Sequence, residues 1–285
     1  MPKSCIFICF SVADSLLHTI NSDFRYYCRR GNLDCVKNIV ENYDILNPNT
    51  RASYGFRIAC NKGYLKIAKY LVEKFPLDSN KMIRYDSKKW NAFRMACCNG
   101  HLNVVKWLVK TFRVDPHHCN EEAFSLACKN GHLNVVKYLL KKFPDIDYKS
   151  YKNLIFRFAC RYSYFSIHNH DIIIYLLQQL PDIDPHAKCD QAFRFICRNG
   201  SMKLVEYFVE NIEDIDCHAN YEEAFRMACQ YGHINIAKYL KEKYSDIDHH
   251  VMNDWVFKHT HNKEILEWLH DDCYIPRRKI KSANS

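Results

Sequence analysis

Short amphipathic segments and polar breaks follow one another along this chain at a nearly constant spacing. In "NEEAFSLACKN", Asn120 to Asn130, a polar start and an acidic first turn lead into Phe124, Ala127 and Cys128. Apolar residues at i, i+3 and i+4 mark a short helix with one buried stripe. Gly131 ends it, and "LNVVKYLLKKF" then puts Leu133, Val136, Leu139 and Leu140 on one face of a second helix. Its lysines gather toward the C-terminus, where the helix dipole favours cations. "PDID", Pro144 to Asp147, stops the second helix and opens a polar connection. The predicted unit is helix, tight turn, helix, loop.

Nearly the same string recurs: "ACCNGHLNVVKWLVKTF" starts at Ala96, "ACKNGHLNVVKYLLKKF" at Ala127 and "ACQYGHINIAKYLKEKY" at Ala228. Aligned copies put cysteine at 28, 60, 97, 128, 160, 197 and 229, with gaps of 32, 37, 31, 32, 37 and 32 residues. A period near 32 predicts an all-α solenoid of stacked hairpins, since two short amphipathic helices cannot bury their faces alone. Three residues after the cysteines come Gly31, Gly63, Gly100, Gly131, Gly200 and Gly232, with Ser163 the exception. Six of the seven glycines therefore share one position, where the backbone needs a positive φ or a close approach that a side chain would block. The two longer gaps place insertions at 78–89 and near 165–171. The organisation expected is an N-terminal capping segment (1–22), a repeat array (23–270) and a basic, disordered tail (271–285).

The motif AC-x-x-GH-[LI]-N-[VI]-[VA]-K-[YW]-L, followed by "DID", resembles the ankyrin-repeat family over most of Asp23 to Leu269. "GHLNVVKYL" together with "EAFRMAC" is similar to ankyrin-repeat proteins of giant amoeba-infecting DNA viruses (mimivirus-like). The family's Thr-Pro-Leu-His start is replaced here by Glu122-Ala123-Phe124-Ser125 and Asn91-Ala92-Phe93-Arg94, and its loop glycine is missing. Plain loops rather than β-fingers are therefore expected. Arg25, Arg57, Arg94, Arg157, Arg194 and Arg226 stand where the family has His. A ladder of guanidiniums bonding loop carbonyls or the recurring Asp147, Asp184 and Asp216 is the expected reading, with polyanion binding the alternative.

The resemblance implies a binding surface lined by first helices and loops. Partner contacts in such proteins come from the loop tip before the first helix and from the residue after the Ala-Cys step. Carried over, the loop set is Trp90, Glu121, Asn153, Asp190 and Glu222. The helix set is Asn61, Cys98, Lys129, Arg161, Arg198 and Gln230. Trp90 is the leading hot-spot candidate, with packing under its own longer loop as the alternative. Cys128, Gly131 and Arg194 are expected to serve the architecture.

Composition narrows the remaining classes. The chain has 48% apolar residues, ample for a core, and no apolar run near the ~18 residues of a membrane span. "CIFICFSV", Cys5 to Val12, reads as a helix face covering the first repeat or as a signal-peptide core. Fifteen cysteines, an odd number recurring at a repeat position, fit small buried hydrophobes in a reducing, intracellular compartment, cytosol or nucleus, better than a disulfide framework. The net charge of +9 favours acidic partners in general. Its one cluster, "PRRKIK" from Pro276, is a nuclear-import or nucleic-acid patch or simply a solvated end. Cys97/His101, Cys128/His132 and Cys229/His233 have zinc-like spacing, but other copies carry Asn32, Tyr64, Tyr164 and Ser201 in place of the His, so repetition explains the pairs. No G-x-S-x-G, H-E-x-x-H or phosphate-binding glycine loop is present. The expectation is a monomeric, non-enzymatic scaffold that binds a protein, with no cofactor, catalytic residue or metal. A substrate-recruiting adaptor for ubiquitin ligation or a basic nucleic-acid-binding repeat protein are the alternatives.

Overall fold

The structure is a computed structural model that describes residues 18–43, 52–75, 92–112, 114, 118–144, 148–163 and 168–274. The expected insertion at 78–89, the start of the capping segment and nearly all of the basic tail lie outside them. The described residues hold helices joined by turns, with no strand. The chain divides into two compact units, Met1–Asp147 and Tyr148–Ser285.

The described residues of unit 1 form four hairpins. They are α1 (18–30) with α2 (Leu33–Asn42), α3 (Ser53–Lys62) with α4 (Leu65–Lys74), α5 (Ala92–Cys98) with α6 (Leu102–Thr111), and α7 (His118–Lys129) with α8 (Leu133–Lys142). Unit 2 repeats the scheme. It pairs α9 (Tyr148–Arg161) with α10 (His168–Gln179), α11 (Ala187–Asn199) with α12 (Met202–Asn211), α13 (Ala219–Gln230) with α14 (Ile234–Lys243), and α15 (Val251–His259) with α16 (Lys263–Tyr274). First helices stack on first helices: α3 on α5, α5 on α7, and in unit 2 α9 on α11 on α13 on α15.

The recurring A-C-x-x-G-H string is one C-cap repeated. The amide of the residue after the glycine bonds the alanine carbonyl, His101 to Ala96 at 2.9 Å, His132 to Ala127 at 3.0 Å and His233 to Ala228 at 2.8 Å. The glycine amide bonds the cysteine carbonyl, as Gly100 does to Cys97 at 3.2 Å. That pair of bonds is a Schellman motif, which requires a left-handed residue at the glycine. All six turn glycines have φ between 73° and 83°. Gly31, Gly63, Gly100 and Gly200 also lie under a ring of the next repeat. A Cβ on Gly63 would stand 2.6 Å from His101 Nδ1, on Gly100 2.4 Å from His132 Nδ1, and on Gly200 2.4 Å from His233 Cε1. Each ring is held there by donating Nε2–H to the preceding repeat, His101 to Asn61 O, His132 to Cys98 O and His233 to Arg198 O, at 2.9 to 3.0 Å. Where the glycine is Ser163, the next repeat carries Ser201 instead of a ring, and Ser201 Oγ meets His170 Nε2 at 2.9 Å.

Cys28, Cys60, Cys97, Cys128, Cys160, Cys197 and Cys229 are free and fully enclosed, and burial raises their thiols, Cys28 and Cys229 to about 12. They act as small apolar packing groups beside Ala and Phe of the same helices. In the second helices the face differs from the sequence expectation. Val135, Val136 and Leu139 are the buried residues of α8, whereas Leu133 and Leu140 are half-buried. At 100° per residue, 135, 139 and 136 centre the stripe, and 133 and 140 fall together on its edge. In unit 2, Phe208 of α12 stacks on Phe156 and Phe193, centroids 6.3 and 6.1 Å apart, so neighbouring hairpins share one core.

Candidate functional site

Trp90 and the side chain of Glu121 lie outside the described residues. Of the rest of the expected loop set, Asn153 is half-buried and Asp190 and Glu222 are buried. Asp190 and Glu222 are only 4% and 7% exposed. His186 Nδ1–H donates to Asp190 Oδ1 at 2.8 Å and His218 Nδ1–H to Glu222 Oε1 at 2.9 Å. Asn153 Oδ1 accepts from the Asp184 amide and Asp190 Oδ2 from the Asp216 amide, each in the following repeat. Burial raises the Asp190 carboxyl, opposed by its His186 hydrogen bond. The Glu222 hydrogen bond holds His218 above its ordinary value. These carboxylates are buried and engaged within the chain.

They close an unusual turn. Lys188–Asp190, Asn220–Glu222 and Met252–Asp254 each run through three consecutive non-glycine residues with φ between 53° and 60°. Each forms one left-handed helical turn, closed by the amides of Asp190, Glu222 and Asp254 bonding the carbonyls of His186, His218 and His250. Such a turn costs roughly 1–2 kcal/mol per L-residue, so it persists only where the surroundings hold it. Buried arginines do so at the first two, and at the third Lys258 Nζ donates to Asn253 O at 2.6 Å. Arg194 Nε and Nη2 donate to the carbonyls of Cys189 and Lys188 at 3.0 and 2.9 Å. Arg226 Nε and Nη2 donate to those of Tyr221 and Asn220 at 2.6 and 2.9 Å.

The next repeat covers four of the arginines from the position two residues before its phenylalanine. Arg94 pairs with Glu122 and Arg194 with Glu223, while Arg25 lies 4.9 Å from the Tyr54 ring centroid and Arg226 4.8 Å from that of Trp255. The recurring Asp184 and Asp216, proposed from sequence as arginine acceptors, instead accept the backbone amides of His186 and His218 at 2.9 Å.

The helix set behaves differently. Asn61 Oδ1 accepts from Asn99, and Cys98 Sγ lies 3.2 Å from Asn130 Nδ2. Lys129 and Gln230 are half-buried. Arg161 is exposed, and it shares with the half-buried Arg198 a cavity of about 470 Å³. Arg161 and Tyr162 enter it from the end of α9, Phe195, Arg198 and Asn199 from α11, and Tyr231 and His233 from the turn after α13. Arg161 Cζ lies 5.6 Å from the Phe195 centroid, Arg198 Cζ lies 4.8 Å from that of Tyr231, and Arg198 Nη2 donates to Tyr231 Oη at 2.8 Å. Asn199 Nδ2 donates to Cys160 O at 2.9 Å and His233 holds Arg198 O, so the floor is fixed by inter-repeat bonds. Tyr162, Phe195 and Tyr231 were not singled out from sequence. The signal was available at two of them, since Tyr162 and Tyr231 stand where Asn99, Asn130 and Asn199 bolt other repeats together.

Among the described residues no group of three or more His, Cys, Asp or Glu side chains is placed to hold a metal ion. No described helix is long and apolar enough to cross a membrane. A family model described as "Ankyrin repeats" matches the chain in three copies, over residues 24–118, 111–189 and 169–253. No curated protein matches it.

Proposed function

This chain belongs to the ankyrin-repeat family, and from that premise we propose that it is a non-enzymatic protein–protein interaction scaffold acting as a monomer inside the cell. Ankyrin repeats are in general protein-interaction modules. The observation that carries the reading here is the division of labour within each repeat. Arginine, histidine and glycine at constant positions are engaged within the chain, while the residue after the Ala-Cys step varies and in two successive repeats presents arginine beside aromatic rings, the half-buried Phe195 and the exposed Tyr231. Arginine and tyrosine together are the composition of interface hot spots.

A viral protein that engages a host protein is the finer form of the proposal, and it rests on the wording of "GHLNVVKYL" and "EAFRMAC". Trp90, Lys129, Gln230 and Cys98 remain proposed contacts beside Arg161 and Arg198. Affinity capture on the immobilised full chain from nuclease-treated cell extract tests the scaffold reading. Protein retained in saturable amounts supports it. Retention that vanishes with nuclease treatment would replace it with nucleic-acid binding.

A further inference from the structure

We propose that the cavity at the ends of α9, α11 and α13 docks an acidic peptide segment, with Arg161 and Arg198 taking its carboxylates between aromatic walls. The inference rests on the scaffold reading and names the chemistry of the partner.

Charge bookkeeping between two rows of arginine carries it. Two arginines of the inner row are neutralised by the chain itself, Arg94 by Glu122 and Arg194 by Glu223. In the row at the cavity neither Arg161 nor Arg198 forms an ion pair among the described residues, and no carboxylate lines the cavity. Two guanidiniums left without a counter-charge in one recess make a local positive field, which the low-dielectric rings around it strengthen.

The groups are also oriented. Ring contacts at 4.8 Å to Tyr231 and 5.6 Å to Phe195 limit the rotation of the two guanidiniums. Arg198 gives one nitrogen to Tyr231 Oη and keeps further N–H donors for a ligand. A planar fork held in this way suits a carboxylate taken through two parallel hydrogen bonds. The recess, about 470 Å³, has room for a few side chains and not for a helical nucleic acid, whose recognition needs a row of phosphate contacts along the backbone. Tyr162, Phe195 and Tyr231 add apolar area for the flanking residues of the segment at little entropic cost.

The test is fluorescence anisotropy of a fluorescein-labelled oligoglutamate titrated with the full chain at low salt. Saturable binding that weakens with added salt is expected. It becomes at least about tenfold weaker in Arg161→Ala/Arg198→Ala, the loss of charge-assisted hydrogen bonds. Lys66→Ala/Lys69→Ala, which removes two charges from exposed positions of α4, should leave it unchanged. If the alanine pair lowers the melting temperature, Arg161→Gln/Arg198→Gln preserves bulk and should show the same loss. Equal weakening by both double variants, no binding of oligoglutamate, or tighter binding of oligothymidylate would each overturn the proposal. A protein captured from extract equally well by the Arg161→Ala/Arg198→Ala variant would also overturn it while leaving the scaffold reading in place.

Discussion

Gly200 is held by two separate constraints, a φ of 79° and the His233 ring 2.4 Å from where a Cβ would stand. The left-handed backbone alone makes Gly200→Ala unfavourable by about 1 kcal/mol, and displacing the ring adds to this. Because the ring and the new methyl compete for one space, His233→Ala should cost less in the Gly200→Ala background than in the parent. Urea unfolding of the double-mutant cycle measures the coupling, expected to exceed about 0.5 kcal/mol. Additive costs would show that the ring does not touch the turn.

His218 is raised above its ordinary value of 6.5 chiefly by its hydrogen bond to Glu222, with Asp246 and Asp216 adding to the effect. A pKa raised by folding stabilises the fold fully below 6.5 and loses that contribution as pH rises through the folded value. The stability difference between the parent and His218→Gln should therefore be larger near pH ~5.5 than near pH ~8.5. Thermal melts at the two pH values check the sign, and a difference that grows with pH would contradict it.

At the scale of the element, the helix–turn–helix unit was legible because its causes are local. A 3.6-residue apolar stripe, a small pair at the last turn and a glycine at C′ identify the Schellman end before any packing is known. The left-handed turns at Lys188–Asp190, Asn220–Glu222 and Met252–Asp254 were not. No glycine marks them, and what holds them is side-chain bonding that propensity does not register, a histidine–carboxylate bond four residues apart in each and, five to six residues on, Arg194, Arg226 or Lys258 donating to the turn's carbonyls. The same blindness hid the burial of Asp190 and Glu222, which read as exposed acids in a loop. A trace did exist, in the threefold recurrence of Asp-Ile-Asp-x-His-x-x-x-acid at 182–190, 214–222 and 246–254. A charged residue that returns in strict register is part of the architecture.

Arg194 tests that statement. Its removal would leave the carbonyls of Lys188 and Cys189 without this donor and Glu223 without its ion pair. Arg194→Ala should lower the unfolding free energy by about 2–3 kcal/mol, read by urea denaturation. An unchanged midpoint together with lost partner binding would move Arg194 from the framework to the interface.

For the molecule as a whole, two compact stacks of hairpins repeat one framework and vary at the ends of their first helices. The period foretold the stacking, but not that Arg161 and Arg198 share one cavity. The aromatic walls of their cavity come from three different helices or turns, a convergence that no single repeat displays. Hydrogen exchange of the full chain, with and without its captured protein partner, tests the division between framework and reading surface most directly. The account predicts slowed exchange at the ends of the first helices, around 161–162 and 195–199 and in the turn at 231–233, with the second helices α10, α12 and α14 unchanged. Protection confined to those second helices would contradict it.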